Sequence, residues 1–62
     1  MSETKRIKDI LLEFLMQQDK PLKPKEIAWI TGINYNTVRA RLHELKKEGK
    51  AERIKEGWVA KK

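Results

Sequence analysis

At 62 residues the chain is one small domain near the lower limit of what folds without staples, so nearly every apolar side chain is needed for the core and little remains to shape a catalytic cavity. It has no cysteine and a single histidine, His43, which excludes disulfides and removes the usual ligands of a structural zinc site. The net charge of +6 is unevenly spread: residues 1–33 carry six Lys/Arg against five acids and residues 34–62 carry nine against four, so the second half presents a positive field suited to a polyanion.

A first helix is predicted over residues 3–18, with Ser2 as N-cap and Glu3 placed favourably against the helix dipole. Ile7, Ile10, Leu11, Phe14 and Leu15 recur at helical spacing and read as its core face, while Leu12 and Met16 fall opposite that face, one turn apart. The longest apolar run, Ile10-Leu11-Leu12, stops at Glu13, too short to span a bilayer or to form a signal-peptide core. The expectation is a cytoplasmic protein with no membrane partner. Lys20-Pro21-Leu22-Lys23-Pro24 breaks the helical pattern, because each proline biases the residue before it toward extended geometry, and Leu22 can point inward from a short strand-like segment. Pro24 suits the first turn of a second helix that ends at about Thr31.

From Pro24 to Leu42, the residues Ala28, Gly32 and Val38 recur at the separations needed to pack two short helices across a tight turn. Ala28 is small where the helices cross, Gly32 can adopt positive φ, and Val38 fills the gap, with Ile27 and Ile33 flanking. Asn34 suits the cap of a third helix that continues to about Glu48 and stops at Gly49. Val38, Leu42 and Leu45 lie in a narrow inward arc. Asn36, Arg39, Ala40, His43 and Lys47 lie on the far side, with Tyr35 on one flank. Two short extended runs, residues 51–54 and 58–62, surround Lys55-Glu56-Gly57 and read as a β-hairpin with those three residues at its tip, Arg53 near its base and Trp58 as a core anchor.

The order helix, short strand, helix, helix, hairpin resembles a winged helix-turn-helix domain, an α+β class that is mainly α. The segment Asn34-Tyr35-Asn36-Thr37-Val38-Arg39, followed by Leu42, Leu45, Gly49 and the hairpin, is similar to the DNA-binding half of GntR-type and MarR/ArsR-type bacterial and archaeal regulators. The large effector domain of GntR-type regulators has no counterpart in these 62 residues. The resemblance implies that the third helix lies in the major groove of double-stranded DNA and that the wing meets the backbone or an adjacent minor groove. It assigns base or phosphate contact to Tyr35, Asn36, Thr37 and Arg39, and backbone contact to Lys55. Arg39 can offer two donors to guanine O6 and N7, and Asn36 can pair with adenine, each worth roughly 1–3 kcal/mol of discrimination. Asn34, Arg41, His43, Lys47 and Arg53 complete the candidate DNA-binding set. Four of the ten have a competing structural role: Asn34 as a cap, Thr37 in a local capping interaction, Arg41 with its stem on the core and its head paired to an acid, and His43 as an ordinary exposed residue.

Trp29 and Ile30 occupy positions that are usually polar in this motif. Together with Leu12 and Met16 they are candidates for a homodimer or partner interface, set against the simpler role of closing the rim of a small core. The leading expectation is therefore sequence-specific duplex DNA binding by a small, nucleoid-associated transcriptional regulator. The alternative is a winged-helix protein-interaction module of replication or transcription machinery. A layout with a wing tryptophan also resembles Zα domains, but Arg39 and His43 stand where that family uses asparagine and tyrosine, and its wing proline pair is missing. Catalysis is not expected, since the carboxylates are scattered, no Ser or Cys nucleophile has a base at useful spacing, and no phosphate-binding glycine loop occurs. No cofactor, metal or small-molecule ligand is expected either.

Overall fold

The computed structural model describes residues 6–61, so the capping roles expected of Ser2 and Glu3 lie outside the described residues. Its elements are α1 (Ile7–Met16), α2 (Pro24–Thr31), α3 (Tyr35–Lys47), β1 (Ala51–Ile54) and β2 (Gly57–Ala60). The fold is a winged-helix-like α+β arrangement, mainly helical, with a C-terminal antiparallel hairpin.

Leu11, Leu15, Leu22, Ile27, Val38, Leu42, Leu45, Ala51 and Trp58 form a single buried cluster to which every element contributes. Burying a Leu or Ile side chain completely is worth about 1.5–3 kcal/mol, so the fully buried Leu11, Ile27 and Leu42 are central to holding three helices together. The core face of α1 is rotated from the one expected. Leu11 and Leu15 are buried, Leu12 and Phe14 pack against the cluster half-buried, and Ile7 and Ile10 are each 39% exposed. On that side of α1 the half-buried stem of Lys8 carries an ammonium that bonds Glu48 at the end of α3. Leu12, a candidate for a partner surface, packs half-buried against the core cluster. The helix also ends sooner than expected, because Gln17 N–H is shared between the Glu13 and Phe14 carbonyls and Gln18 N–H reaches the Leu15 carbonyl at 3.1 Å, a tightened last turn.

The turn between α2 and α3 follows its residues. Gly32 has φ +77°, the Thr31 hydroxyl donates to the Ile27 carbonyl at 2.6 Å and accepts from Ile33 N–H, and Val38 is fully buried between the helices with Ala28 half-buried nearby. The far end of α3 closes with paired bonds, Gly49 N–H to the Lys46 carbonyl and Lys50 N–H to the Leu45 carbonyl, which require the left-handed Gly49.

In the hairpin, Ala51 pairs with Ala60, Glu52 with Val59, Arg53 with Trp58 and Ile54 with Gly57. The tip is therefore Lys55-Glu56 alone, and Gly57 belongs to the ladder instead of the loop. Gly57 has φ +146°, and a Cβ there would stand 2.6 Å from the Leu22 carbonyl oxygen. Leu22 crosses at that point and forms an isolated antiparallel bridge with Trp58, the inward-pointing extended residue expected between the first two helices.

Candidate nucleic-acid interface

The helical period divides the outer surface of α3 into three strips. Tyr35, Arg39 and His43, four residues apart, form the flank nearest the hairpin. Asn36, Ala40 and Lys47 form an exposed crest opposite the buried Val38, Leu42 and Leu45. Thr37, Arg41 and Glu44 form the remaining flank, where Glu44 lies 3.7 Å from Lys8 of α1.

The first flank is the floor of a surface groove. Tyr35, Arg39 and His43 line it with Arg53, Ile54, Lys55, Gly57 and Trp58 of the hairpin and with Lys23, Pro24 and Lys25 at the start of α2. Five full-time cations line it, Lys23, Lys25, Arg39, Arg53 and Lys55, and among the described residues no carboxylate lines the groove. Strand register accounts for part of that polarity. Residues directly opposed across an antiparallel pair share a face, so Arg53 lies on the Trp58 face of the hairpin while its neighbour Glu52 lies on the other with Val59. Glu26, the acid closest in sequence to the α2 lysines, is folded back onto the helix start, where its carboxylate accepts from Lys23 N–H at 2.9 Å.

Two ring contacts order the floor. The Arg39 guanidinium carbon stands 5.8 Å from the centroid of the Tyr35 ring, within cation–π range. His43 meets Trp58 edge to face, with centroids 5.6 Å apart and planes at 86°. Trp58 is only 3% exposed, in keeping with the core-anchor role read from the sequence, and it offers its rim to the groove while holding α3 and the hairpin together.

The candidate residues thus separate. Tyr35, Arg39, His43, Arg53 and Lys55 meet in one groove. Asn36 and Lys47 are exposed on the crest beside it. The Asn34 carboxamide oxygen accepts from Asn36 N–H at 2.8 Å, which makes Asn34 the cap of α3. Thr37 is half-buried on the far flank. Arg41 is removed from the groove: its guanidinium bonds Glu44 at 2.8 Å and its Nε is buried, so the pairing with an acid is the role the structure gives it. Lys23 and Lys25 are groove residues that the sequence reading does not single out. Their signal is the Lys-Pro-Lys run at a helix start, which gains meaning only once the bridge from Leu22 to Trp58 brings it beside the wing.

Of the four apolar candidates for a partner surface, Trp29 is 85%, Met16 64% and Ile30 56% exposed. Met16 borders a second cleft with Gln18, Lys20 and Val59, which neither Trp29 nor Ile30 lines. Among the described residues no group of three or more His, Cys, Asp or Glu side chains is placed to hold a metal ion, and no helix is long and apolar enough to cross a membrane.

The model of a protein family described as FaeA-like protein matches residues 7–58, a span that includes every groove residue. The family's namesake is a small helix-turn-helix-like regulator. No significant match was found among curated proteins or among solved structures.

Proposed function

The chain belongs to the FaeA-like family, and we propose that it is a sequence-specific duplex DNA-binding protein that regulates transcription by occupying its site, with no catalytic step. The observation that carries this reading is the acid-free groove in which α2, α3 and the hairpin each contribute cations. Lys23 and Lys25 on one rim and Arg53 and Lys55 on the other supply phosphate contacts, which set affinity and its salt dependence. The crest of α3, led by Asn36, and the adjacent Arg39 supply contacts to base edges in the major groove. The two-residue tip of the wing, which pairs Lys55 with the acidic Glu56, suits it to the phosphate backbone at the groove rim more than to insertion among bases.

Fluorescence anisotropy of a labelled duplex, titrated at several salt concentrations, tests the proposal. Affinity is expected to fall steeply and linearly on a log–log plot, with one slope for random sequences and tighter binding for duplexes enriched from a random library. Salt-independent binding, or an enriched pool that is no better than random, contradicts it.

One observation favours a second reading. An 85%-exposed tryptophan on α2 is costly to leave in water, and with Ile30 it suits a protein surface, either a second copy on a palindromic site or a component of replication or transcription machinery. Sedimentation at high concentration separates the two: a dimer supports self-association, and a monomer removes it.

A further inference from the structure

We propose that Tyr35 is a positioning residue, whose ring holds the Arg39 guanidinium in the orientation from which it reads a guanine. The inference rests on the duplex-reading assignment above and adds to it a division of labour along one strip of α3.

Three observations lead to it. Tyr35 opens α3 and Arg39 follows one turn later; helical side chains lean toward the N-terminus, so the Arg39 stem is directed back over the ring, and its guanidinium carbon is 5.8 Å from the ring centroid. One turn beyond Arg39 on the same flank, His43 is seated against the buried Trp58 and lines the same groove. Finally, Arg39 shares the groove with Lys23, Lys25, Arg53 and Lys55 and no acid. Before DNA enters the groove those like charges drive a free arginine outward, and the negative face of the aromatic ring is the attraction that opposes them. An arginine already held beside the groove floor loses less freedom on forming a bidentate pair with guanine.

The rival role for Tyr35 is direct contact, with its hydroxyl bonding a phosphate or its ring touching a base. The test compares wild type, Tyr35→Phe, Tyr35→Leu, Arg39→Ala and the double variant Tyr35→Leu/Arg39→Ala. Each is titrated against a duplex selected by wild type and against a scrambled duplex at fixed salt. Tyr35 is 38% exposed, so leucine keeps the bulk that packs on the domain while removing the π face. Phenylalanine is expected to stay within about twofold of wild type, whereas leucine lowers the selected-to-scrambled ratio about two- to fivefold, the range of a partly exposed cation–π contact. Affinity for the scrambled duplex and the salt slope stay as in wild type, and leucine adds no loss when Arg39 is already alanine.

The inference is overturned if phenylalanine is as damaging as leucine, if leucine weakens both duplexes equally, or if its effect persists without Arg39. Those results leave salt-dependent, selective binding by wild type intact. If wild type itself binds no duplex selectively, the functional assignment fails and the role of Tyr35 fails with it.

Discussion

Leu22 and Trp58 exchange backbone hydrogen bonds in both directions, Leu22 N–H to the Trp58 carbonyl at 3.2 Å and Trp58 N–H to the Leu22 carbonyl at 2.8 Å. This one-residue bridge fastens the start of α2 to the second strand of the hairpin. It therefore sets the lysines that follow Leu22 across the groove from Arg53 and Lys55. Without it the positive residues of the two segments would be unrelated surface charges.

Gly57 is where that bridge is most sensitive to substitution. Gly57→Ala is expected to destabilise the domain by roughly 3 kcal/mol, through an unfavourable φ and a Cβ driven against the Leu22 backbone. Gly49→Ala, at φ +77° with open space around the added carbon, is expected to cost only the left-handed preference, about 1 kcal/mol. Urea unfolding of the two variants checks the order, and equal losses would contradict the close approach.

Lys23 and Lys25 are expected to act on all sequences alike. The double variant Lys23→Ala/Lys25→Ala should weaken binding to selected and random duplexes by similar factors and reduce the log–log salt slope by about 2, near 0.9 for each phosphate left without its lysine. Lys20→Ala, outside the groove, should leave the slope unchanged. A salt titration of the three proteins decides it.

Arg39 and Arg41, two residues apart on α3, are expected to behave oppositely. Arg39→Ala should relax base preference by roughly 1–3 kcal/mol at one position of the site. Arg41→Ala removes a bond to Glu44 and should leave base preference as it was. Repeating the library selection with each variant distinguishes them, and a changed preference for Arg41→Ala would contradict its placement.

How much of this is legible in the sequence follows from the range of the interactions involved. The helix-turn-helix rests on local signals, and Pro24, Gly32, Asn34 and Gly49 occupy the cap and turn positions expected of them. The inward arc of Val38, Leu42 and Leu45 needs only the helical period. The face of α1 is different, because apolarity alone counts Ile7 and Ile10 inward, whereas tertiary packing buries Leu11 and Leu15, seats Leu12 against the core and leaves the Ile7 and Ile10 side exposed near the Lys8–Glu48 ion pair. Gly57 reads as part of the loop because a glycine after Lys55-Glu56 looks like turn chemistry. Its actual cause is the backbone of Leu22, thirty-five residues earlier in the chain. The α2 lysines are hidden for the same reason.

That ion pair carries a pH dependence of its own. The hydrogen bond from Lys8 holds the Glu48 carboxyl below its ordinary value of 4.5, and the same bond raises Lys8 above 10.5. For Glu48 the folded value lies below the unfolded one, so its contribution is present above the ordinary glutamate range and disappears as pH falls through the folded value. For Lys8 the sign reverses: the contribution is complete below the unfolded value and is lost as pH rises through the folded one. Thermal melts of Lys8→Met should therefore show a flatter acid limb below about pH 4.5 and a flatter alkaline limb above about pH 10.5 than wild type. Parallel curves would mean that the pair contributes nothing measurable, as many exposed pairs do not.

The groove is tested most directly by proton–nitrogen correlation spectra recorded while a duplex is added at low salt. The largest shifts are expected on Lys23, Lys25, Tyr35, Arg39, His43, Arg53 and Lys55, with the Trp58 indole moving and the Trp29 indole still. Shifts centred on Trp29 and Ile30, or spectra unchanged by the duplex, would contradict it.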